Sequence, residues 1–254
     1  MKVLNSTFAA YRKYRKFTKT NKKYKAINYT LAGILAVYGL ILIFPQILFA
    51  HQASYKNFNV YSRQPLNENL ARVLDTAEER LLKSPIYNQD LKENVFLADS
   101  FGLYKFFTLS SYSLGSTIPV IGHSRINVSD IDKDLVFRNT EPPNSRLLSG
   151  VIAHETMHNQ LREKFGFIKY MQIPKWKDEG YCEYVAGETT LLFDEGLRLW
   201  RENPNDSSKY DYFKYYQMVK YLLDEEKISV DEFFKIDFDE KELKAKVFEK
   251  INQN

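Results

Sequence analysis

The sequence predicts an α+β domain held behind a single N-terminal transmembrane helix. Three observations carry that expectation: an uncharged apolar run near the N-terminus, short glycine-punctuated β-rich runs after it, and sustained helical periodicity in the second half. Strand-rich and helix-rich regions that follow one another, without regular β-α alternation, favour α+β over a doubly wound parallel sheet.

The apolar run, residues 27–50 (INYTLAGILAVYGLILIFPQILFA), has 24 residues and no formal charge. A helix rising about 1.5 Å per residue crosses the hydrocarbon core in roughly 20 such residues. The core of a cleavable signal peptide is shorter, about 7–15 residues. His51 also stands where a cut after Ala53 needs a small side chain, so the run reads as an uncleaved transmembrane anchor. Pro45 is placed to kink or end the helix near its far side.

Charge sets the orientation. Residues 1–50 contain nine Lys or Arg and no Asp or Glu, against a chain total of +4, which leaves a net −5 for residues 51–254. The asymmetry makes residues 1–26 a basic cytoplasmic arm and puts the remainder on the extracytoplasmic side of the cell membrane. Tyr11, Tyr14 and Tyr24 interleave with the basic residues, but no nucleic-acid-binding fold surrounds them. The lipid bilayer is therefore the arm's expected partner, and nucleic acid is not. A single cysteine, Cys182, excludes a disulfide framework and a Cys-based zinc site. With only His51, His123, His154 and His158 available, any metal site must lean on carboxylates.

Residues 51–65 read as a linker, and residues 66–254 as one domain, long enough to bury a proper core. Leu66, Leu70, Val73, Leu74, Ala77 and Leu81 recur at three and four residues and predict an amphipathic helix ending at Ser84-Pro85. Residues 95–98, 104–109, 118–121 and 125–128 read as strands, with Gly102, Gly115 and Gly122 between them. Glu141-Pro142-Pro143-Asn144 closes this half. From Ser145 the pattern is helical, broken near Gly166, Pro174 and Asn203-Pro204-Asn205-Asp206.

His154-Glu155-Thr156-Met157-His158 carries the chemistry. Leu147, Val151, His154, His158 and Leu161 share one helical face, so two imidazoles stand one turn apart, able to point at one metal ion with Glu155 at its flank. Asn144 or Ser145 is placed to cap this helix and Gly166 to end it. Two histidines leave a catalytic zinc site one protein ligand short. A helix beginning at Pro174 offers Glu179 and Glu183, four apart on one face. Either can bind the metal while the other supports a ligating histidine.

The block Trp176-Lys177-Asp178-Glu179-Gly180-Tyr181-Cys182-Glu183-Tyr184-Val185 resembles the W-x-x-E-G-x-x-x-Y block of the gluzincins, the thermolysin-like zinc peptidases. It is closest in form to their aminopeptidase branch and to related bacterial MA-type peptidases. The resemblance implies a zincin-type domain, with the active-site helix in its helical half. It also implies one zinc ion per chain, held by His154, His158 and Glu179. Glu183 falls where thermolysin-like enzymes keep a carboxylate that orients a ligating histidine, here His154 or His158. Twenty residues separate His158 from Glu179, slightly more than in the aminopeptidase branch, and Asp178 stands where that branch often has Asn. Residues 212–222 are similar to the helix in which that branch keeps its oxyanion-stabilising tyrosine. Aligning Tyr221-Leu222 with the aromatic-Leu pair of that helix puts Tyr212 at the catalytic place. The resemblance spans residues 145–224. The branch's Gly-x-Met-Glu-Asn segment, which holds a substrate's free amine, has no counterpart, which favours endopeptidase action.

The expected function is thus a membrane-anchored zinc metallopeptidase acting on peptide or protein substrates. A zinc-activated water attacks the peptide bond, Glu155 is the general base, and Tyr212 donates to the oxyanion. Residues 125–129 are expected to supply an edge strand for an extended substrate. The alternative is a catalytically inactive metallopeptidase-like domain that presents a cleft to a partner at the membrane surface; the intact Glu155 speaks against it. His51 and His123 read as structural, Cys182 as a small buried helix residue, and the aromatic runs of 191–223 as core.

Overall fold

The computed structural model describes residues 11, 12, 14, 21–118, 120–140, 144–203 and 210–253. Most of the basic arm and the expected breaks at 141–143 and 204–209 lie outside the described residues. The chain divides into two units, Met1–Leu48 and Phe49–Asn254.

In the first unit, α1 (Lys22–Ile43) is long and apolar enough to cross a membrane, by length and composition. Asn21 caps it, its side chain accepting from the Lys23 N–H. The helix begins earlier than the apolar run and stops short of Ala50. Proline disfavours the helical conformation in the residue before it. Accordingly Phe44 leaves the helix at φ −119°, ψ 59°, and Pro45–Leu48 forms a single 3₁₀ turn.

The second unit is α+β and begins sooner than expected. Residues 51–65 are not a linker: β1 (His51–Tyr55) and β2 (Phe58–Ser62) form an antiparallel hairpin, turned at Lys56 with φ 54°. Helix α2 (Asn69–Leu81) follows as its spacing predicts, burying Leu70, Val73, Leu74, Ala77 and Leu81. It crosses to β3 (Glu93–Leu97), which lies parallel to β2. Residues 101–108, expected in part as a strand, form helix α3 (Phe101–Thr108). The Ser100 hydroxyl accepts from the Leu103 N–H at its start, and Leu109 ends it at φ 60°. The five-stranded sheet closes with β4 (Gly115–Ile118) and β5 (His123–Ile126), in the order β1-β2-β3-β5-β4. β5 is therefore interior, between β3 and β4, so Arg125 and Ile126 are not at the edge expected of residues 125–129, and Ser129 lies outside this sheet. Its two edges are β1 and β4. A separate antiparallel sheet joins β6 (Ser129–Asp130), β7 (Leu135–Arg138) and β8 (Asn144–Leu147).

The remaining elements are helical. They are α4 (Leu148–Phe165), α5 (Phe167–Tyr170), α6 (Lys175–Ala186), α7 (Phe193–Glu202), α8 (Asp211–Lys220), a π-turn at Tyr221–Glu225, α9 (Val230–Lys235) and α10 (Glu240–Gln253). Asn144 and Ser145 are spent on β8, so neither caps α4. The cap comes from a distance instead: Asp134 accepts from the Ser149 N–H and hydroxyl, each at 2.7 Å. Gly166 ends α4 at φ 74° and Pro174 opens α6, both as their positions predict.

Helix α4 is buried on every side from Leu148 to Leu161, not along one face. Its polar side chains must then find partners inside the protein. Asn159 and Gln160 donate to the two oxygens of Glu93 on β3, at 2.8 and 2.9 Å, which ties α4 to the sheet. Burial raises the Glu93 carboxyl from 4.5 to about 7, against the lowering pull of those two amides and of Arg162. Between those values the folded chain keeps a proton that the unfolded chain has released. The stability this contributes is full below pH 4.5 and is lost as pH rises through about 7. The shift corresponds to roughly 3 kcal/mol. Denaturant melts of wild type and Glu93→Gln at pH 5 and pH 8 should show the wild type losing ground to the variant by about that much. A difference that does not change with pH would refute the account.

Candidate metal centre

Three elements assemble the site. Helix α4 presents His154 and His158, α6 presents Glu179, and α8 brings Tyr212 over them. The packing of α6 on α8 explains the glycine after Glu179. A Cβ at Gly180 would lie 2.8 Å from the Tyr215 carbonyl oxygen and 2.8 Å from a Val219 methyl, so only glycine lets the two helices approach this closely. Trp176 serves the core: it is buried, with its ring 5.7 Å edge-on from Phe233.

His154 Nε2 lies 3.2 Å from His158 Nε2 and 3.3 Å from Glu179 Oε2, and His158 Nε2 lies 3.6 Å from the same oxygen. Ligand atoms about 2.0–2.2 Å from a common tetrahedral centre stand roughly 3.3–3.6 Å apart. The triangle therefore has the dimensions of one face of a tetrahedral metal site. The carboxyl of Glu179 is held well below its ordinary range: burial opposes this, and the hydrogen bonds from both imidazoles overcome it.

Behind the triangle, the two imidazoles have different neighbours. His158 Nδ1 lies 3.0 Å from Asp178 Oδ1, and the Tyr170 hydroxyl donates to the other Asp178 oxygen at 3.0 Å. An Nδ1–H donated to Asp178 leaves the Nε2 lone pair facing the triangle. Burial opposes a charge on His158, while Cys182 and the Asp178 carboxylate outweigh it and raise the imidazole pKa. Cys182 is buried against the same ring, 3.4 Å from Nδ1, as the small helix residue expected. His154 Nδ1 has Glu183 Oε1 at 3.6 Å, longer than a hydrogen bond. The nearer partner of Glu183 is Arg146, at 2.8 Å. Glu183 thus stands behind His154 and not His158, while Asp178 supports His158. The sequence passed over Asp178 as a departure from Asn; its signal was its place directly before Glu179, since either residue offers an oxygen to an imidazole N–H.

Glu155 is buried at the edge of the sheet. The Thr117 hydroxyl on β4 lies 2.8 Å from its Oε2 and 3.1 Å from its backbone carbonyl oxygen. A Cβ on Gly115 would come within 2.5 Å of Glu155 Oε1, so the carboxylate rests directly on the edge strand. Burial pushes the Glu155 carboxyl up, against the opposite pull of His154, His158 and the Thr117 hydrogen bond. Tyr212 is 40% exposed, and its hydroxyl donates to Glu179 Oε1 at 3.2 Å. Burial, then the nearby Glu179 carboxylate, push that phenol's pKa up, so it remains a donor. A cavity of about 550 Å³ opens beside these groups, lined by His154, Glu155, Tyr212 and Arg138 among others. His123 lies outside the cluster, on β5, its ring 5.2 Å from that of Phe96. His51 opens β1.

His154, His158 and Glu179 thus come together, with Tyr212 on Glu179, Glu155 on the same cavity and Glu183 behind His154. In comparison with known proteins, no family model matches the chain and no curated protein matches it.

Proposed function

We propose that the chain is a membrane-anchored zinc metallopeptidase, an endopeptidase with its catalytic unit on the extracytoplasmic side. The observation that carries this reading is the triangle of His154 Nε2, His158 Nε2 and Glu179 Oε2, at 3.2, 3.3 and 3.6 Å, with the Glu155 carboxylate beside it. The resemblance of residues 145–224 to the gluzincins supports the same assignment. The uncharged stretch of α1 and the basic residues before it support the anchor and its orientation.

His154, His158 and Glu179 would hold one zinc ion, which supplies a Lewis acid for the peptide carbonyl and lowers the pKa of water toward about 7. The protein's own groups do the rest. Glu155 accepts a proton from the attacking water and returns it to the departing amine, and a carboxyl raised by burial suits both transfers. Tyr212 turns its hydroxyl from Glu179 to the oxygen on which negative charge develops. The free edge of β4 offers main-chain donors and acceptors to an extended peptide beside Glu155.

The test uses the full chain in detergent, offered zinc and then freed of excess. Elemental analysis should find about one zinc per chain, and cleavage of a mixed peptide library should stop on chelation and return with zinc. A ratio near zero, or cleavage indifferent to chelator, would overturn the proposal.

A further inference from the structure

We infer that the cavity beside the metal-ligand cluster is a carboxylate-recognising subsite built on Arg138. It would select peptides that present an acidic side chain, or a free C-terminal carboxylate, next to the cluster. The inference rests on the peptidase reading only for what the carboxylate is attached to; the anion site follows from this chain's own charges.

Two arginines line the cavity, and they are treated differently. Arg146 has its anion: Nη1 lies 2.8 Å from Glu183 Oε1, Nη2 donates to the Glu188 carbonyl at 2.9 Å, and Nε, although it makes no hydrogen bond, lies 3.5 Å from Glu188 Oε1. Arg138, the last residue of β7, reaches across to the loop after α6 and donates from Nη2 to the Thr190 hydroxyl at 3.1 Å. No carboxylate among the described residues pairs with it, and its Nε is buried with no hydrogen-bond partner among them. A half-buried guanidinium normally finds an anion, because removing it from water unpaired costs free energy. Here the unmatched charge faces a cavity. Burial, then the neighbouring Arg146, depress its pKa, against the smaller opposite pull of Tyr212 and Glu183.

The chemistry of the fork narrows the ligand. Guanidinium offers parallel N–H donors in a plane, matched by the two oxygens of a carboxylate. Thr190 fixes one end of that fork, and no described residue takes the Nη1 end. The cavity also has hydroxyls from Tyr112 and Ser113, and its wall includes Gly115 of the edge strand. A peptide lying along β4 would therefore pass a side chain or its own terminus over Arg138. At about 550 Å³ the cavity has room for more than one residue.

The test reads binding, not cleavage, on the full chain in detergent with zinc removed, so that no metal can attract the carboxylate. Three fluorescently labelled hexapeptides share one sequence. The first has a central Glu and an amidated C-terminus, the second a central Gln and an amidated C-terminus, the third a central Gln and a free C-terminus. Anisotropy titration should show the first or the third binding about tenfold tighter than the second, and which of them does so identifies the source of the carboxylate. The advantage should shrink to about twofold or less in Arg138→Gln and survive in part in Arg138→Lys. Melting temperatures of both variants check that they fold, and the Lys variant keeps the test open should the Gln variant not. Equal affinities for the three peptides, or an advantage that persists in a folded Arg138→Gln, would overturn the inference. So would Arg138-dependent competition by inorganic phosphate without any peptide preference. If the zinc-loaded protein cleaves nothing while this preference holds, the peptidase reading fails and the anion subsite stands.

Discussion

Glu155→Gln should leave zinc binding intact and lower peptide hydrolysis by about 10³-fold. The change is nearly isosteric, and Gln keeps an oxygen able to accept from the Thr117 hydroxyl, which lies 2.8 Å from Glu155 Oε2. The packing against Gly115 is kept as well, since the side chain retains its shape. What disappears is a group able to take a proton and give it back. None of the three triangle atoms belongs to Glu155, so the metal-binding face at 3.2, 3.3 and 3.6 Å is untouched. The measurement is paired: zinc per chain by elemental analysis, and kcat on one peptide substrate for wild type and variant. Equal kcat would remove Glu155 from the mechanism. Loss of zinc together with activity would instead make it a structural support of the site. A drop in kcat with stoichiometric zinc separates the base from the ligands, and it also excludes the binding-only alternative.

The parts of the fold that periodicity could reveal were those whose burial is one-sided or whose ends carry a cap. Helix α2 has both its apolar stripe and its Ser84-Pro85 stop, and Gly166 and Pro174 bracket the gap between α4 and α6. The hairpin at 51–62 escaped because β1 lies at the sheet edge, largely exposed, and its sequence HQASY has no alternating apolar signal. Residues 101–108 misled in the opposite sense. Their aromatic content suits a strand, and the capping serine at Ser100 was the sign of a helix. His154 and His158 were legible because they share a helix, where spacing alone fixes which side chains meet, whereas Glu179 stands on α6 and was singled out by the resemblance of its block. Asp178 and Glu183 were separable only in three dimensions, since on α6 they flank Glu179, and Asp178 pairs with His158 while Glu183 stands 3.6 Å behind His154. Thr117, Arg138 and Arg146 come from strands remote in sequence, and no spacing rule joins them to α4. They entered the site through the sheet edge and the second sheet, whose pairing order the sequence did not disclose.

Glu179→Ala should weaken zinc binding by more than about 100-fold, beyond the 10–100-fold typical of residues that only orient a ligand. Removing the carboxylate leaves two imidazole nitrogens 3.2 Å apart, with no other described residue grouped with both as a possible ligand. Glu183 cannot replace it. Its nearest approach to the site is 3.6 Å from His154 Nδ1, the nitrogen turned away from the triangle, and its Oε1 is committed to Arg146 at 2.8 Å. Withdrawing it would strand a buried guanidinium, at a cost of several kcal/mol. Competition with a chromophoric chelator should therefore rank the variants. Asp178→Ala, which loses only the brace on His158 Nδ1, should fall about tenfold, and Glu179→Ala well below it. The reverse order, or a Glu183→Ala variant that loses zinc while Glu179→Ala keeps it, would reassign the third ligand. The ranking tests the geometry in a way that activity cannot. Both variants should lose activity, but only a true ligand governs whether the ion is held at all.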